Sequence, residues 1–142
     1  MIAGFILARC SAGREQGIAT SLTEDSLLLA PPDEATRNDV ICVLGNLLEN
    51  AMEAIGDGAT REISLGLWQE DGLLYLRVED SGAGIDPACA ERIFSKGYST
   101  KGANRGYGLY HVRRCIEARG GRIDAATSEW GGAVFSASLR YA

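Results

Sequence analysis

Leu74-Tyr75-Leu76-Arg77-Val78-Glu79-Asp80-Ser81-Gly82-Ala83-Gly84-Ile85 decides how this chain folds. Leu74, Leu76 and Val78 alternate with Tyr75, Arg77 and Glu79, the period of a strand that buries one face. The strand delivers Asp80 into a glycine-rich stretch. Just upstream, Ile63, Leu65 and Leu67 alternate with Ser64, Gly66 and Trp68. Asp71-Gly72 lies between the two runs and is a hairpin turn pair, so they read as antiparallel strands.

Before this hairpin, Asp33 to Arg37 opens a helix that runs to about Ile55, with Gly56 and Gly58 to end it. Val40, Val43, Leu44, Leu47, Leu48, Ala51 and Ile55 recur at helical spacing and form its core stripe. Opposite them Asn46, Asn50 and Glu53 share a second face. Gly17 to Glu24 reads as a short strand, and Pro31-Pro32 stops regular structure. After the hairpin, a short helix is expected around Pro87 to Phe94, then a long polar loop from Ser95 to Tyr107. A helix from Leu109 to Arg119, a strand from Arg122 to Ser128 and a last strand burying Phe135, Ala137 and Leu139 complete the chain. The expected class is α+β: a two-layer α/β sandwich with a mixed, mostly antiparallel sheet and helices on one face.

The 142 residues fit one domain, and 46% hydrophobic residues suffice for one core. A net charge of -5 argues against a broad nucleic-acid footprint. The four cysteines lie far apart with no C-x-x-C pair, and Cys42 and Cys115 fall in helical apolar patterns; reduced thiols of a cytoplasmic protein are the expectation. Met1 to Cys10 is too short to span a membrane and has no signal-peptide pattern, so no membrane contact is expected of these 142 residues. Ile2, Phe5, Ile6 and Arg9 are spaced as the last turns of an amphipathic helix, although a tag remnant or loose terminus would also fit.

Three groups of residues carry chemistry. Asn46 and Asn50, one turn apart, need partners for carbonyl and amide alike, and Mg²⁺ with a triphosphate would supply them; solvated asparagines are the plain alternative. Asp80 at a strand end can accept from an exocyclic amine such as that of adenine. Gly82 and Gly84 let backbone approach a flat ligand, and Ile85 can contact a ring. A simple Asp-Gly turn is the alternative there. Gly106-Tyr107-Gly108-Leu109 precedes a helix, whose first N–H groups and dipole suit phosphates. Lys96, Lys101 and Arg105 add charge nearby, with Ser99 and Thr100 as hydroxyl donors. Neither a Walker-type loop nor the protein-kinase motifs are present.

In order along one domain, these groups resemble the catalytic domain of sensor histidine kinases. Leu44 to Ala51 looks like their N box, Glu79 to Ile85 like the first glycine box, Ile93 to Lys101 like the F box and lid, and Gly106 to Leu109 like the second glycine box. The resemblance covers residues 17–142 and is nearest to the citrate and C4-dicarboxylate sensors. It implies a Bergerat ATP-binding fold, with ATP and Mg²⁺ as cofactors. By motif position, Asn50 would bind Mg²⁺, with Asn46 beside it near the phosphates. Asp80 would hold the adenine amine, with Gly82, Gly84 and Ile85 around the base. Tyr98, Ser99, Thr100, Lys101, Arg105, Gly106, Gly108 and Leu109 would line the nucleotide, with Lys101 acting on the phosphates.

The resemblance further implies that residues 1–16 end the second helix of a dimerisation and phosphoacceptor hairpin. The parent would be a homodimer anchored in the inner membrane, with this domain in the cytoplasm and a response-regulator receiver domain as partner. Two departures stand out. Gly132-Ala133 replaces the Gly-Thr of many members, and the only histidine, His111, lies after the second glycine box rather than on an upstream hairpin. A hydrolase of the same fold would carry a glutamate four residues before the magnesium asparagine; that position is Asn46. A degenerate, non-catalytic interaction module is the other rival.

Overall fold

The protein is described by a computed structural model covering residues 17–22, 33–55, 62–82, 84–85, 88, 90, 92–94, 108–127 and 131–140. The elements are β1 (Ala19–Leu22), α1 (Glu34–Ile55), β2 (Glu62–Glu70), β3 (Leu73–Asp80), a 3-10 turn (Arg92–Phe94), α2 (Gly108–Ala118), β4 (Arg122–Thr127) and β5 (Ala133–Arg140). They form one five-stranded sheet in the order β1-β2-β3-β5-β4. Only β1 pairs in parallel, with β2; the other three pairings are antiparallel. The mixed, mostly antiparallel α+β sheet matches expectation.

Local chemistry explains the elements. Asp33 caps α1, its Oδ1 accepting from the Thr36 amide at 2.7 Å. That bond holds the Asp33 carboxyl below its ordinary value. The β2–β3 turn places Asp71 at φ 52° and Gly72 at φ 79°, the double left-handed geometry of a two-residue hairpin. α2 ends in a Schellman motif: Gly121 donates to Ile116 O and Gly120 to Glu117 O, both at 3.0 Å, with Gly120 at φ 69°. The last helix starts one residue earlier and stops one earlier than its sequence pattern suggests, ordinary variation at helix ends. Of the short helix expected over Pro87 to Phe94, the structure describes chiefly the 3-10 turn.

One hydrophobic cluster joins the layers. Leu65, Leu67, Leu74, Leu76, Val78, Phe135 and Leu139 rise from the sheet to meet Val40, Val43, Leu44, Leu47, Leu48 and Ala51 of α1 and Val112 and Ile116 of α2. Both helices therefore cover the same sheet face. The opposite face carries Trp68 stacked on Tyr75, ring centroids 5.5 Å apart, and the Arg77–Glu79 ion pair at 3.1 Å. The expected N-terminal helix end, the Ser95–Tyr107 loop, Pro31-Pro32 and the cysteines Cys10 and Cys89 lie outside the described residues.

Candidate functional site

Asp80 belongs to the core-facing set of β3. Leu74, Leu76, Val78 and Asp80 share one phase of the strand, and all four are buried. A carboxylate thus takes the place of a core residue at the end of the strand, with 0% of its surface exposed. Such burial is costly without hydrogen bonds. Its Oδ1 accepts from the amides of Gly82, at 2.8 Å, and Ala133, at 3.2 Å. Ser81 continues the ladder: its amide donates to Glu62 O at 3.0 Å, and its hydroxyl accepts from the Glu62 amide at 2.9 Å.

The glycines around Asp80 meet protein before they could meet a ligand. A Cβ on Gly82 would lie 2.5 Å from Ala54 O, near the end of α1. Gly84, at φ 83°, would place one 2.6 Å from Gly131 O. A Cβ on Gly132 would lie 2.0 Å from Asp80 O. Their absence lets the α1 terminus, the loop after β3 and the β4–β5 turn close around one carboxylate. A role against a ligand, expected for Gly82 and Gly84, would be additional.

The polar face of α1 runs Asp39, Cys42, Asn46, Asn50, Glu53, with spacings of three or four residues. Asn46, Asn50 and Glu53 are half-buried. Part of the cover is α2, which lies antiparallel to α1. At one end Arg119 Nε donates to Asp39 Oδ2 at 2.6 Å and its Nη1 to Thr36 Oγ1 at 3.1 Å. At the other end Gly108 adjoins Asn46; a Cβ there would lie 2.9 Å from Asn46 Oδ1. Asn46 Nδ2 donates to Cys42 O at 2.9 Å, which fixes the amide with Oδ1 toward the start of α2. The N-terminus of α2, the positive end of its dipole, thus lies beside the stripe that continues to Asn50.

The structure therefore brings Asn46 and Gly108 together, and Asp80 together with Gly82. Leu109 and Ile85 are half-buried and pack against the core. Phe94, expected in the F box, meets Phe135 edge-on with centroids 6.1 Å apart and lies beneath Arg113. Tyr98, Ser99, Thr100, Lys101, Arg105 and Gly106 lie outside the described residues. His111 is exposed on α2, as expected of a plain helical histidine. Two residues escaped the sequence reading. Arg119 closes the α1–α2 pair, and Thr127 donates its hydroxyl to Ile85 O at 3.1 Å; both contacts join residues at least 42 positions apart, so no local pattern signals them.

Cys42 corrects an expectation. It is exposed and lies on the polar face, not in the apolar stripe, because position 42 follows the phase of Asn46 and Asn50. Cys115 is half-buried. Burial chiefly pushes its thiol up to about 11, with the Asp39 carboxylate and Cys42 adding to the shift. At pH 8 iodoacetamide is expected to modify Cys42 well ahead of Cys115, read by peptide mass mapping; equal rates would contradict the burial. The folded thiol stays protonated where the unfolded one, at 9.0, has ionised. Its contribution to stability is full below pH 9.0 and lost as pH rises toward about 11.

Comparison with known proteins now bears on this geometry. The family model for histidine kinase-, DNA gyrase B- and HSP90-like ATPases matches residues 36–142. The chain belongs to this ATPase family. It is 41% identical to the sensor histidine kinase DcuS of Escherichia coli strain K12 over 134 residues, 92% of this chain and 24% of that protein. It is 32% identical to the sensor protein CitS of Bacillus subtilis strain 168 over 135 residues, 95% of this chain and 25% of that one. The chain thus spans about a quarter of these curated relatives. Among solved structures, the nucleotide-free catalytic domain of histidine kinase ThkA aligns with a TM-score of 0.82 at 28% identity, over 99% of this chain and 90% of that domain. Full-length ShkA in complex with AMPPNP aligns with a TM-score of 0.80 at 26% identity, over all of this chain and 30% of ShkA. No helix among the described residues of this ATPase-family chain is long and apolar enough to cross a membrane.

Proposed function

We propose that this chain is the catalytic domain of a two-component sensor histidine kinase, which binds Mg²⁺-ATP and donates the γ-phosphoryl group to a histidine on a dimerisation domain. The observation that carries it is a buried Asp80 on the sheet face that α1 and α2 cover, together with an Asn46–Gly108 contact between those helices at the N-terminus of α2. Family membership and likeness to sensor kinases support the same conclusion.

Asp80 keeps Oδ1 on the two backbone amides, and Oδ2 is assigned to the adenine amine. Ile85 lies against the base, and Gly82 and Gly84 keep the loop low beneath it. The amides at Gly108 and Leu109 receive phosphate oxygens. Tyr98, Ser99, Thr100, Lys101, Arg105 and Gly106 complete the nucleotide site from the lid. Amide carbonyl oxygens suit a hard cation that keeps much of its water. Asn50 would hold Mg²⁺ with Asn46 beside it, and the ion would neutralise triphosphate charge. An imidazole nitrogen is its own nucleophile: its bond to phosphorus forms as the bond to ADP breaks. This domain needs to supply position and charge neutralisation rather than a strong base.

A hydrolase is less well supported. Asn46 is an amide and takes up no proton, and Glu49, beside Asn50 in sequence, is exposed off the polar stripe. The phosphoryl group would pass on to a response-regulator receiver domain, and the parent kinase would be a membrane-anchored homodimer.

Calorimetric titration with ATP tests the metal assignment. Affinity is expected to rise with Mg²⁺, and Asn50→Ala to keep the metal-free affinity while losing that rise. An undiminished rise in the variant would remove Asn50 as the ligand.

A further inference from the structure

The loop from Asp80 to Ile85 is tied down at both ends by the same piece of structure. Thr127 and Ala133 are directly paired across β4 and β5. The Ala133 amide holds Asp80 Oδ1 at 3.2 Å. The Thr127 hydroxyl holds Ile85 O at 3.1 Å. One residue before Ile85, Gly84 packs its backbone onto the turn of that hairpin, with Gly131 O 2.6 Å from where a Cβ would be. The end of the β4–β5 hairpin therefore sets where the loop begins and where it stops.

We infer that Thr127 is a positioning residue for nucleotide-base recognition: its hydroxyl fixes Ile85 relative to Asp80, and so fixes the face contact relative to the edge contact. This rests on the proposed assignment of Asp80 to the adenine amine. Thr127 is exposed, and water can replace its hydroxyl bond, so the bond contributes little to global stability. Its value lies in ordering the loop before the base arrives, since a site ordered in advance does not lose affinity to ordering on binding. Thr127 touches no substrate and acts through Ile85 alone.

The test uses Thr127→Val, which keeps volume and β-branching but removes the donor, beside Thr127→Ser, which keeps the donor. For Thr127→Val, ATP affinity is expected to fall about three- to tenfold, the range for one neutral hydrogen bond. Discrimination of ATP over GTP should fall with it. Binding of inorganic tripolyphosphate, the Mg²⁺ dependence and the melting temperature should stay as in the parent chain. Thr127→Ser should restore both affinity and discrimination. A purely structural role would weaken ATP and tripolyphosphate alike and lower the melting temperature, and would overturn the inference. So would unchanged discrimination in Thr127→Val, or failure of Thr127→Ser to restore it. Asp80→Asn run in parallel separates the two levels. If it weakens ATP binding while Thr127→Val does not, only the role of Thr127 falls. If it leaves ATP binding unchanged, the adenine assignment falls, and the inference with it.

Discussion

Asp80→Asn is expected to weaken ATP binding about ten- to a hundredfold while leaving the fold intact. A hydrogen bond to a charged group contributes roughly 1.5–3 kcal/mol, and about 1.4 kcal/mol is a factor of ten. Asparagine is nearly isosteric and keeps a carbonyl oxygen for the Gly82 and Ala133 amides, so the closure around this residue survives. The other terminal atom becomes an N–H donor and would face the donor amine of adenine. The loss should therefore appear in nucleotide titration and hardly in thermal melting. A large fall in melting temperature with little change in affinity would make Asp80 a structural carboxylate instead.

Gly132→Ala is expected to damage both stability and binding. The new Cβ would lie 2.0 Å from Asp80 O, a backbone atom, and 2.7 Å from Asp80 Oδ1, which the Gly82 and Ala133 amides hold in place. Something must move, and the nearest candidate is the hairpin end whose Ala133 amide holds Asp80. Overpacking of a buried position costs about 1–3 kcal/mol. The melting temperature should fall by several degrees, and the fraction that remains folded should bind ATP poorly. Gly131→Ala is the control: its Cβ meets nothing within 4 Å, and only φ 85° opposes it, a strain of roughly 1–2 kcal/mol. Thermal melting and titration of the two variants side by side separate the clash from the backbone strain. Equal, mild effects would mean that the β4–β5 turn is not held against Asp80.

Much of this was legible in short-range patterns. The alternation of β2 and β3 and the Asp71-Gly72 pair defined the hairpin because strand period and turn geometry are local properties. The same alternation brings the strand to Asp80, but its burial in phase with Leu74, Leu76 and Val78 emerges only from the structure. The polar stripe of α1 was visible for the same reason, although Cys42 was grouped with the wrong face. Long-range pairings were not visible. The parallel pairing of β1 with β2 and the insertion of β5 between β3 and β4 depend on which edges the helices leave open. Gly82 against Ala54, Gly132 against Asp80, and Thr127 on Ile85 are contacts between distant segments. The glycines looked like openings for a ligand, but the structure uses them first to pack backbone on backbone.

In the proposed complex one nucleotide spans from Asp80 to the N-terminus of α2, passing Asn50. Amide-resolved NMR titration of the chain with a non-hydrolysable ATP analogue and Mg²⁺ tests it most directly. The largest shifts are expected at Asp80 to Ile85 and Ala133 for the base, and at Asn46, Asn50 and Gly108 for the phosphates and metal. Shifts confined to the opposite sheet face around Trp68 and Tyr75, or a response at Asp80 with none at Asn50 and Gly108, would contradict it.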